Sequence, residues 1–440
     1  MDRKIKTGIL TLGCKVNQYE SEAIAEALTD KGFEVRPHTE LCDAYIVNTC
    51  TVTAESDRKA RQMIRRMISK NPAAYILVTG CYSQVSPEEV AEIEGVDYLC
   101  GSSNKMSVVD KLIALINDGK KAEKAEICIP ELDESGFEQM SIRRFDRTRA
   151  YVKIEDGCES KCAYCTIPAS RGPIRSKPFN EVIDEVKTLT ENGVREVVLT
   201  GIETGSYGKD LPEKESFASL LAAIDKIDGI GRVRTGSLDP TVIKPAFVEA
   251  IKDLKSLCPH FHLSLQSGSS SILASMKRKY NADQALACID RLRAAIPQVQ
   301  LTTDVIVGFP GETEEDFLAS CDFARKARFL MIHVFPYSKR KGTVAAEMKD
   351  QIPENVKKER VAKLSEISRE IRAEILDEKV AESKNIEVLF ETTREGYSHG
   401  HTSDFIEVKV KTIKRLNGLV RSVKLISHDG EVCEGVLVDQ

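Results

Sequence analysis

The chain has 440 residues, 42% hydrophobic and 30% charged, with a net charge of −5. These proportions exclude a collagen-like, mucin-like or wholly disordered chain and predict a soluble globular protein of several domains. The charge gives no global sign of nucleic-acid binding, so any such site must be a local patch.

Residues 9–12 are a short apolar run ending at Gly13-Cys14. Helical periodicity follows over 20–31, with Ala23, Ala27 and Leu28 on one side. A second run, 44–47, ends at Asn48-Thr49-Cys50, and a basic helix is predicted over 55–70. A third, 75–78, ends at Thr79-Gly80-Cys81, with a helix after Pro87. Such alternation predicts an open parallel sheet with helices on both faces. Cys14, Cys50 and Cys81 each follow the C-terminal end of a predicted strand. Those ends share one edge, where open α/β sheets bind ligands. Three cysteines far apart in sequence are thus expected to converge.

Residues 119–148 read as a linker, acidic and turn-rich over 130–136 and basic over 143–149. Strands are then predicted over 151–154, 197–200, 232–236, 261–265, 301–307 and 331–335. Helices fall between them, such as 180–191, 241–255 and 313–327. Six βα units predict a partial barrel with its C-terminal face open over a site. A long amphipathic helix is predicted over 354–384, with Val361, Leu364, Ile367, Ile371 and Ile375 on its apolar side. Strand signals over 386–390, 405–410, 419–425 and 436–438 predict a small all-β barrel of OB-like size. In the third of these runs Leu419, Val423 and Leu425 fall on one face. The expected boundaries are 2–115, a linker 116–143, then 144–375 and 376–440. No apolar run approaches the ~20 residues that cross a bilayer. The N-terminus is basic with no apolar segment behind it, which predicts a cytoplasmic protein.

Thirteen cysteines in a reducing compartment point to buried thiols plus metal or redox sites. The sharpest pattern is Cys158-Glu159-Ser160-Lys161-Cys162-Ala163-Tyr164-Cys165, directly after the first barrel strand. Three thiolates on one loop suit three irons of a cubane cluster, leaving the fourth iron open. Zinc normally takes four protein ligands, and the next cysteine is Cys258. Zinc and purely structural thiols stay as alternatives.

With this motif the sequence resembles the radical S-adenosylmethionine enzymes. The resemblance narrows at Thr11-Leu12-Gly13-Cys14-Lys15-Val16-Asn17-Gln18, Val47-Asn48-Thr49-Cys50, Thr79-Gly80-Cys81 and Asp304-Val305-Ile306-Val307-Gly308-Phe309-Pro310-Gly311-Glu312-Thr313. These strings are similar to those of the methylthiotransferases, and the C-terminal segment is similar to the RNA-binding TRAM module. The resemblance covers essentially the whole chain.

It implies two 4Fe–4S clusters and S-adenosyl-L-methionine as cofactors. One cluster would sit on Cys158, Cys162 and Cys165, its open iron binding the cofactor and splitting it to a 5′-deoxyadenosyl radical. The auxiliary cluster would sit on Cys14, Cys50 and Cys81. The other seven cysteines (Cys42, Cys100, Cys128, Cys258, Cys288, Cys321 and Cys433) have no chelating spacing and read as inert. Tyr164 would pack near the adenine, and Gly201 would offer backbone groups to the methionine amine. Glu203, two residues on, departs from the family's pattern. Ser237, Gln266 and Asp304 lie at or near strand ends on the active face; they would serve the cofactor or simply the local hydrogen bonding. No catalytic residue is assigned beyond the clusters.

The resemblance also implies a tRNA substrate. Lys409, Lys411, Lys414, Arg415, Arg421 and Lys424 occupy a stretch without acids, and the first four are the expected phosphate contacts. Arg58, Lys59, Arg61, Arg65, Arg66 and Lys70 form a second basic face; a solvated surface is the alternative for both. The Lys-Val pair after Cys14 favours the branch acting on N6-threonylcarbamoyladenosine next to the anticodon. Relatives acting on isopentenyladenosine usually carry Gln-Met there, and those acting on a ribosomal-protein aspartate carry Pro-Lys. The expected partners are the tRNA anticodon loop, an electron donor such as flavodoxin or ferredoxin, and a sulfur donor, with no membrane and no DNA. A non-enzymatic iron–sulfur RNA-binding protein is the rival class.

Overall fold

The structure, a computed structural model, describes residues 4–438 apart from 134, 146 and 214. The outermost positions of the expected first and last domains, 2–3 and 439–440, lie outside the described residues, as does one position in each of the acidic and basic linker stretches.

The first sheet contains β1 (Lys6–Thr11), β2 (Glu34–Pro37), β3 (Ala44–Thr49), β4 (Tyr75–Gly80), β5 (Tyr98–Cys100) and β6 (Glu126–Cys128). Their order is β2-β1-β3-β4-β5-β6, with every neighbouring pair parallel. β3 is buried at all of its positions, as a central strand covered on both faces must be. The expected linker is not featureless. Its β6 adds a strand to the sheet edge, and Met140 and Ile142 enter the core of the next domain. β6 is only Glu-Ile-Cys, exposed throughout, and such a short polar edge strand leaves no apolar run to read.

The expected six strands of the partial barrel are all present. β7 (Arg149–Lys153) is followed by the short antiparallel pair β8 (Glu155–Asp156) and β9 (Arg175–Ser176). Then come β10 (Glu196–Thr200), β11 (Arg232–Thr235), β12 (Ser237–Leu238), β13 (His260–Gln266), β14 (Gln300–Val307) and β15 (Met331–Pro336). They form two parallel sheets, β7-β10-β11 and β12-β13-β14-β15. The third expected strand is therefore split, and the break falls at Gly236. That residue's backbone approaches Leu199 so closely that a Cβ would lie 2.9 Å from the Leu199 carbonyl oxygen. The helix expected over 241–255 is shorter, Pro245–Ile251 after a 3-10 turn Pro240–Val242, because proline starts helices but cannot continue them.

The helix Lys15–Asp30 belongs to the first domain by sequence, yet it packs on β7, and its Tyr19 and Ala23 join the barrel core. The Tyr19 hydroxyl lies within hydrogen-bond distance of the Met140 carbonyl oxygen (2.8 Å) and the Glu185 carboxylate (2.9 Å). The first domain and the barrel thus share a core.

The long helix Glu354–Ala381 packs on β15 through Leu364, Ile367, Ile371 and Ile375, all buried; Val361 is partly buried. It leads to β16 (Asn385–Arg394), β17 (Tyr397–Thr402), β18 (Glu407–Lys411), β19 (Val420–His428) and β20 (Cys433–Leu437), which close into a barrel in the order β16-β17-β18-β20-β19. β17, Tyr-Ser-His-Gly-His-Thr, was not expected, since polar residues hide its alternation. Val423 and Leu425 are buried as expected, whereas Leu419 precedes its strand and is exposed.

The C-terminal barrel seats on the N-terminal ends of the parallel strands. Phe405, held at φ +73°, stacks on His260 (4.4 Å between ring centroids) and on His401 (5.0 Å). The Arg234 and Arg149 guanidiniums lie 5.0 and 5.6 Å from its ring centroid. Arg232 donates to the carbonyls of His401 and Glu387, both at 3.0 Å. That end of the barrel is plugged, and the loops after the strands are left to form the site.

Candidate active site

The three N-terminal cysteines do converge. Cys14 caps the helix Lys15–Asp30, Cys50 directly follows β3, and Cys81 opens the helix Cys81–Val85 directly after β4. β1, β3 and β4 are adjacent, so these ends share one edge. Gly13, at φ +102°, lets the chain pass Cys50 closely; a Cβ there would lie 2.9 Å from the Cys50 Sγ. Each thiol is an electrostatic neighbour of another. Burial and Cys81 push the Cys50 thiol up to about 11.

Sequence reasoning missed the group that serves this edge. Arg171 comes from the barrel domain, six residues after Cys165, and is fully buried. Its Nε donates to the Cys81 Sγ at 3.1 Å, its Nη1 to Glu20 (2.6 Å) and Asp156 (3.0 Å), and its Nη2 to the Asn17 Oδ1 at 2.5 Å. Lys105 and Lys153 also pair with Glu20, and Lys153 and Arg175 with Asp156. Four cations therefore surround two carboxylates beside the thiols. These cations hold both carboxyls below their usual range, against the opposing effect of burial. A cation-rich buried edge fits a group held by three thiolates, which brings negative charge with it.

The second set lies on the loop after β8. Backbone N–H groups of Ser160 and Ile167 donate to the Sγ of Cys158 and Cys165, both at 3.4 Å. The Arg278 Nη1 donates to the Cys162 Sγ at 3.3 Å. That guanidinium is anchored by the Asp239 carboxylate and the Ser264 carbonyl (2.9 Å). Burial pushes the Cys158 and Cys165 thiols up to about 12 and about 11. Such donors compensate thiolate charge in the way a bound cluster needs.

Spacing bears on the choice between a cluster and zinc. Zn–S bonds of about 2.3 Å bring tetrahedral sulfurs within about 3.8 Å of one another. Among the described residues, the one His/Cys/Asp/Glu group with all ligand atoms within 4.8 Å is His262, Asp304 and His333. Both cysteine sets are wider, which suits a cubane.

Tyr164, Gln266 and Asp304 line one pocket of about 280 Å³, with Cys165, Thr166, Ile306 and Phe335 of the barrel and Val52 and Thr53 of the first domain. Gln266 sits at φ +75°, at an irregularity in the β13–β14 register. The Arg340 guanidinium ties the two walls together through Thr51 and Asp57, both at 2.7 Å. Gly201 and Ser237 lie outside this lining. A Cβ on Gly201 would meet the Glu155 Oε2 at 2.6 Å, and the Ser237 carbonyl accepts from the Thr204 hydroxyl at 2.8 Å. The Glu155 Oε2 also accepts from the Glu203 N–H (2.8 Å), and burial holds its carboxyl well above the usual range. Glu203 itself reaches Cys158, 3.6 Å from Sγ.

The basic stretch is acid-free in sequence but not in space, because Lys409 pairs with Asp429 at 3.0 Å. Lys411, Lys414 and Arg415 are exposed. Arg415 joins Arg147, Arg149 and Arg195 around a groove of about 690 Å³. On the second basic face, Arg58 pairs with Glu55, Arg61 binds the Tyr82 hydroxyl and Lys70 caps the His38 and Thr39 carbonyls. Lys59, Arg65 and Arg66 are exposed.

Residues 152–324 match the Radical SAM superfamily, and residues 6–101 match a family described as Uncharacterized protein family UPF0004. Among solved structures, the radical S-adenosylmethionine methyltransferase TsrM from Kitasatospora setae, with cobalamin and a [4Fe-4S] cluster bound, aligns with a TM-score of 0.59. The alignment covers 78% of this chain and 74% of that one at 14% identity, a likeness of fold. Fold and cysteine motif together define a radical S-adenosylmethionine enzyme. Over 434 residues the chain is 38% identical to threonylcarbamoyladenosine tRNA methylthiotransferase MtaB of Bacillus subtilis, covering 97% of this chain and 95% of the relative. It is 36% identical over 437 residues to tRNA-2-methylthio-N(6)-dimethylallyladenosine synthase of Aquifex aeolicus, covering 98% of each. The chain belongs to the radical S-adenosylmethionine methylthiotransferase family.

Proposed function

We propose that this enzyme installs a methylthio group at carbon-2 of N6-threonylcarbamoyladenosine next to the tRNA anticodon. The observation that carries this reading is the arrangement of two wide cysteine sets, with residues just past Cys50 and at Cys165 lining one pocket. In this reading residues 2–115 hold the auxiliary cluster on Cys14, Cys50 and Cys81. Residues 144–375 hold the radical-generating cluster on Cys158, Cys162 and Cys165, and 376–440 hold RNA. With clusters and S-adenosylmethionine bound, the site supplies one-electron cleavage of the cofactor and sulfur transfer to an unreactive aromatic C–H.

The chain's own residues hold and shield. Arg171 and Arg278 compensate charge at Cys81 and Cys162. Tyr164, Gln266 and the backbone at Gly201 hold the cofactor, with Ser237 and Asp304 nearby. Val52, Ile306 and Phe335 give the pocket its apolar wall. An external reductant and a sulfur source are required partners. No helix of the described residues is long and apolar enough to cross a membrane, and a tRNA substrate argues for the cytoplasm.

RNA binding falls to exposed Lys411, Lys414 and Arg415, with Lys409 contributing less because Asp429 already pairs with it. Neutralising the first three should lower tRNA affinity and reduce its logarithmic salt slope by about 0.9 per lost phosphate contact. Neutralising Lys409 alone should change the slope less. A fluorescence titration across salt concentrations measures both, and an unchanged slope in the triple variant contradicts the assignment.

Substrate choice rests on Cys14-Lys15-Val16. Overall identity separates the candidates poorly, since the two relatives above differ in named substrate but hardly in similarity. The test is reaction of the reconstituted enzyme with anticodon stem-loops bearing either modified adenosine, read by nucleoside mass spectrometry. The 2-methylthio derivative of the threonylcarbamoyl nucleoside is expected. Product from the isopentenyl RNA alone favours the rival substrate, and product from neither overturns the activity.

A further inference from the structure

Lys15 opens the helix that packs on β7, one edge of the six-strand arc, and its side chain is exposed. Its electrostatic neighbours lie on four barrel strands: Arg149 on β7, Glu196 on β10, Arg234 on β11 and Asp304 on β14. His260 and His333, on β13 and β15, also feel its charge. The Lys15 charge is thus felt by groups on β7, β10, β11, β13, β14 and β15. Among the described residues, no hydrogen bond or ion pair engages it.

Two members of the tight group already noted, Asp304 and His333, are among those that feel this charge. The ligand atoms of His262, Asp304 and His333 all fall within 4.8 Å of one another. The His262 Nε2 lies 3.2 Å from the Asp304 Oδ2, and its Nδ1 lies 3.0 Å from the Thr302 hydroxyl. His262 thus has a polar neighbour at each ring nitrogen. The other Asp304 oxygen and the exposed His333 ring make no hydrogen bond among the described residues. Asp304 also lines the pocket beside Tyr164 and Cys165, so this group adjoins the reacting centre.

We infer that Lys15, Asp304 and His333 form the subsite for the N6-substituent of the target adenosine. Lys15 pairs with the carboxylate of the threonylcarbamoyl group, Asp304 accepts from its ureido N–H, and His333 meets its hydroxyl. The inference rests on the function proposed above and adds which residues choose the substrate. An isopentenyl group has no polar atom to offer. A site built to hydrogen-bond a polar substituent rejects an analogue lacking it far more strongly than an apolar pocket rejects an extra methylene. The Lys-Val pair after Cys14 then has a physical meaning: it puts a cation where a carboxylate must bind.

The experiment measures dissociation constants of the full, reconstituted chain for two anticodon stem-loops. One bears N6-threonylcarbamoyladenosine and the other unmodified adenosine. Lys15→Gln should lose about tenfold affinity for the modified RNA, as for one charge-assisted contact, and none for the unmodified RNA. Lys15→Arg should keep most of the preference. Because Lys15 adjoins Cys14, His333→Ala serves as the second variant, remote in sequence from every cluster cysteine, and should show the same selective loss. Equal losses on both RNAs, or none, overturn the subsite. So does a zinc ion retained by the wild type and lost in His333→Ala, which would make the group a metal site. Wild-type enzyme that fails to modify the threonylcarbamoyl RNA defeats the proposed function itself. Product formation with unselective variants defeats the subsite alone.

Discussion

Replacing Cys158, Cys162 and Cys165 together by alanine should halve the iron of the reconstituted protein, from about eight to about four atoms per chain. It should also abolish 5′-deoxyadenosine formation. The two cysteine sets sit on different elements, one on the loop after β8 and one at the edge shared by β1, β3 and β4. Each has its own cationic partner, Arg278 for Cys162 and Arg171 for Cys81. Neither set needs the other's thiols to form, so removing one should leave the other loaded. Replacing Cys14, Cys50 and Cys81 should give the complementary result: half the iron, cofactor cleavage retained, and no methylthiolated product. Iron analysis and chromatography of the cleaved nucleoside read both. Loss of all iron, or of none, in either triple variant contradicts two independent sites.

Arg171→Met should be the most damaging single substitution outside the cysteines. The side chain is fully buried and bridges Cys81, Glu20, Asp156 and Asn17. Removing one partner of such a network leaves buried charge uncompensated, which costs about 3–5 kcal/mol. Lysine cannot replace it, because one ammonium cannot reproduce a planar fork that serves four acceptors. Its partners span the first domain and the barrel, so the damage should fall on their shared core. The variant is expected to unfold at a clearly lower temperature and to bind about half the iron, losing the auxiliary set. A wild-type thermal midpoint with full iron loading would show that the network does not support that edge. Circular dichroism melting with iron analysis decides.

Much of this architecture is legible in the sequence, for identifiable reasons. β3, β4 and β10 are parallel and almost wholly buried, so they appear as apolar runs ending at glycine or cysteine. What stays hidden is short, polar or shared. β6 has three exposed residues, and β17 alternates serine, glycine and threonine with tyrosine and histidine. The two sets of three cysteines announce themselves by position after strands. Arg171 does not, because a buried arginine and a surface one look alike until the fold brings Glu20 and Asp156 to it. The Lys409–Asp429 pair shows the same limit in reverse, since a stretch without acids can still meet one across a barrel. Lys15 reads in the sequence only as a substrate signature; that its helix packs on β7 comes from the fold.

The most direct test is nucleoside mass spectrometry of tRNA from cells lacking this protein, with wild-type protein and the Cys14, Cys50, Cys81 triple variant returned in turn. Loss of 2-methylthio-N6-threonylcarbamoyladenosine, build-up of its unmethylthiolated precursor, and restoration by wild type alone are expected. Unchanged 2-methylthio-N6-threonylcarbamoyladenosine in the deletion cells, or restoration by the triple variant, would contradict the account.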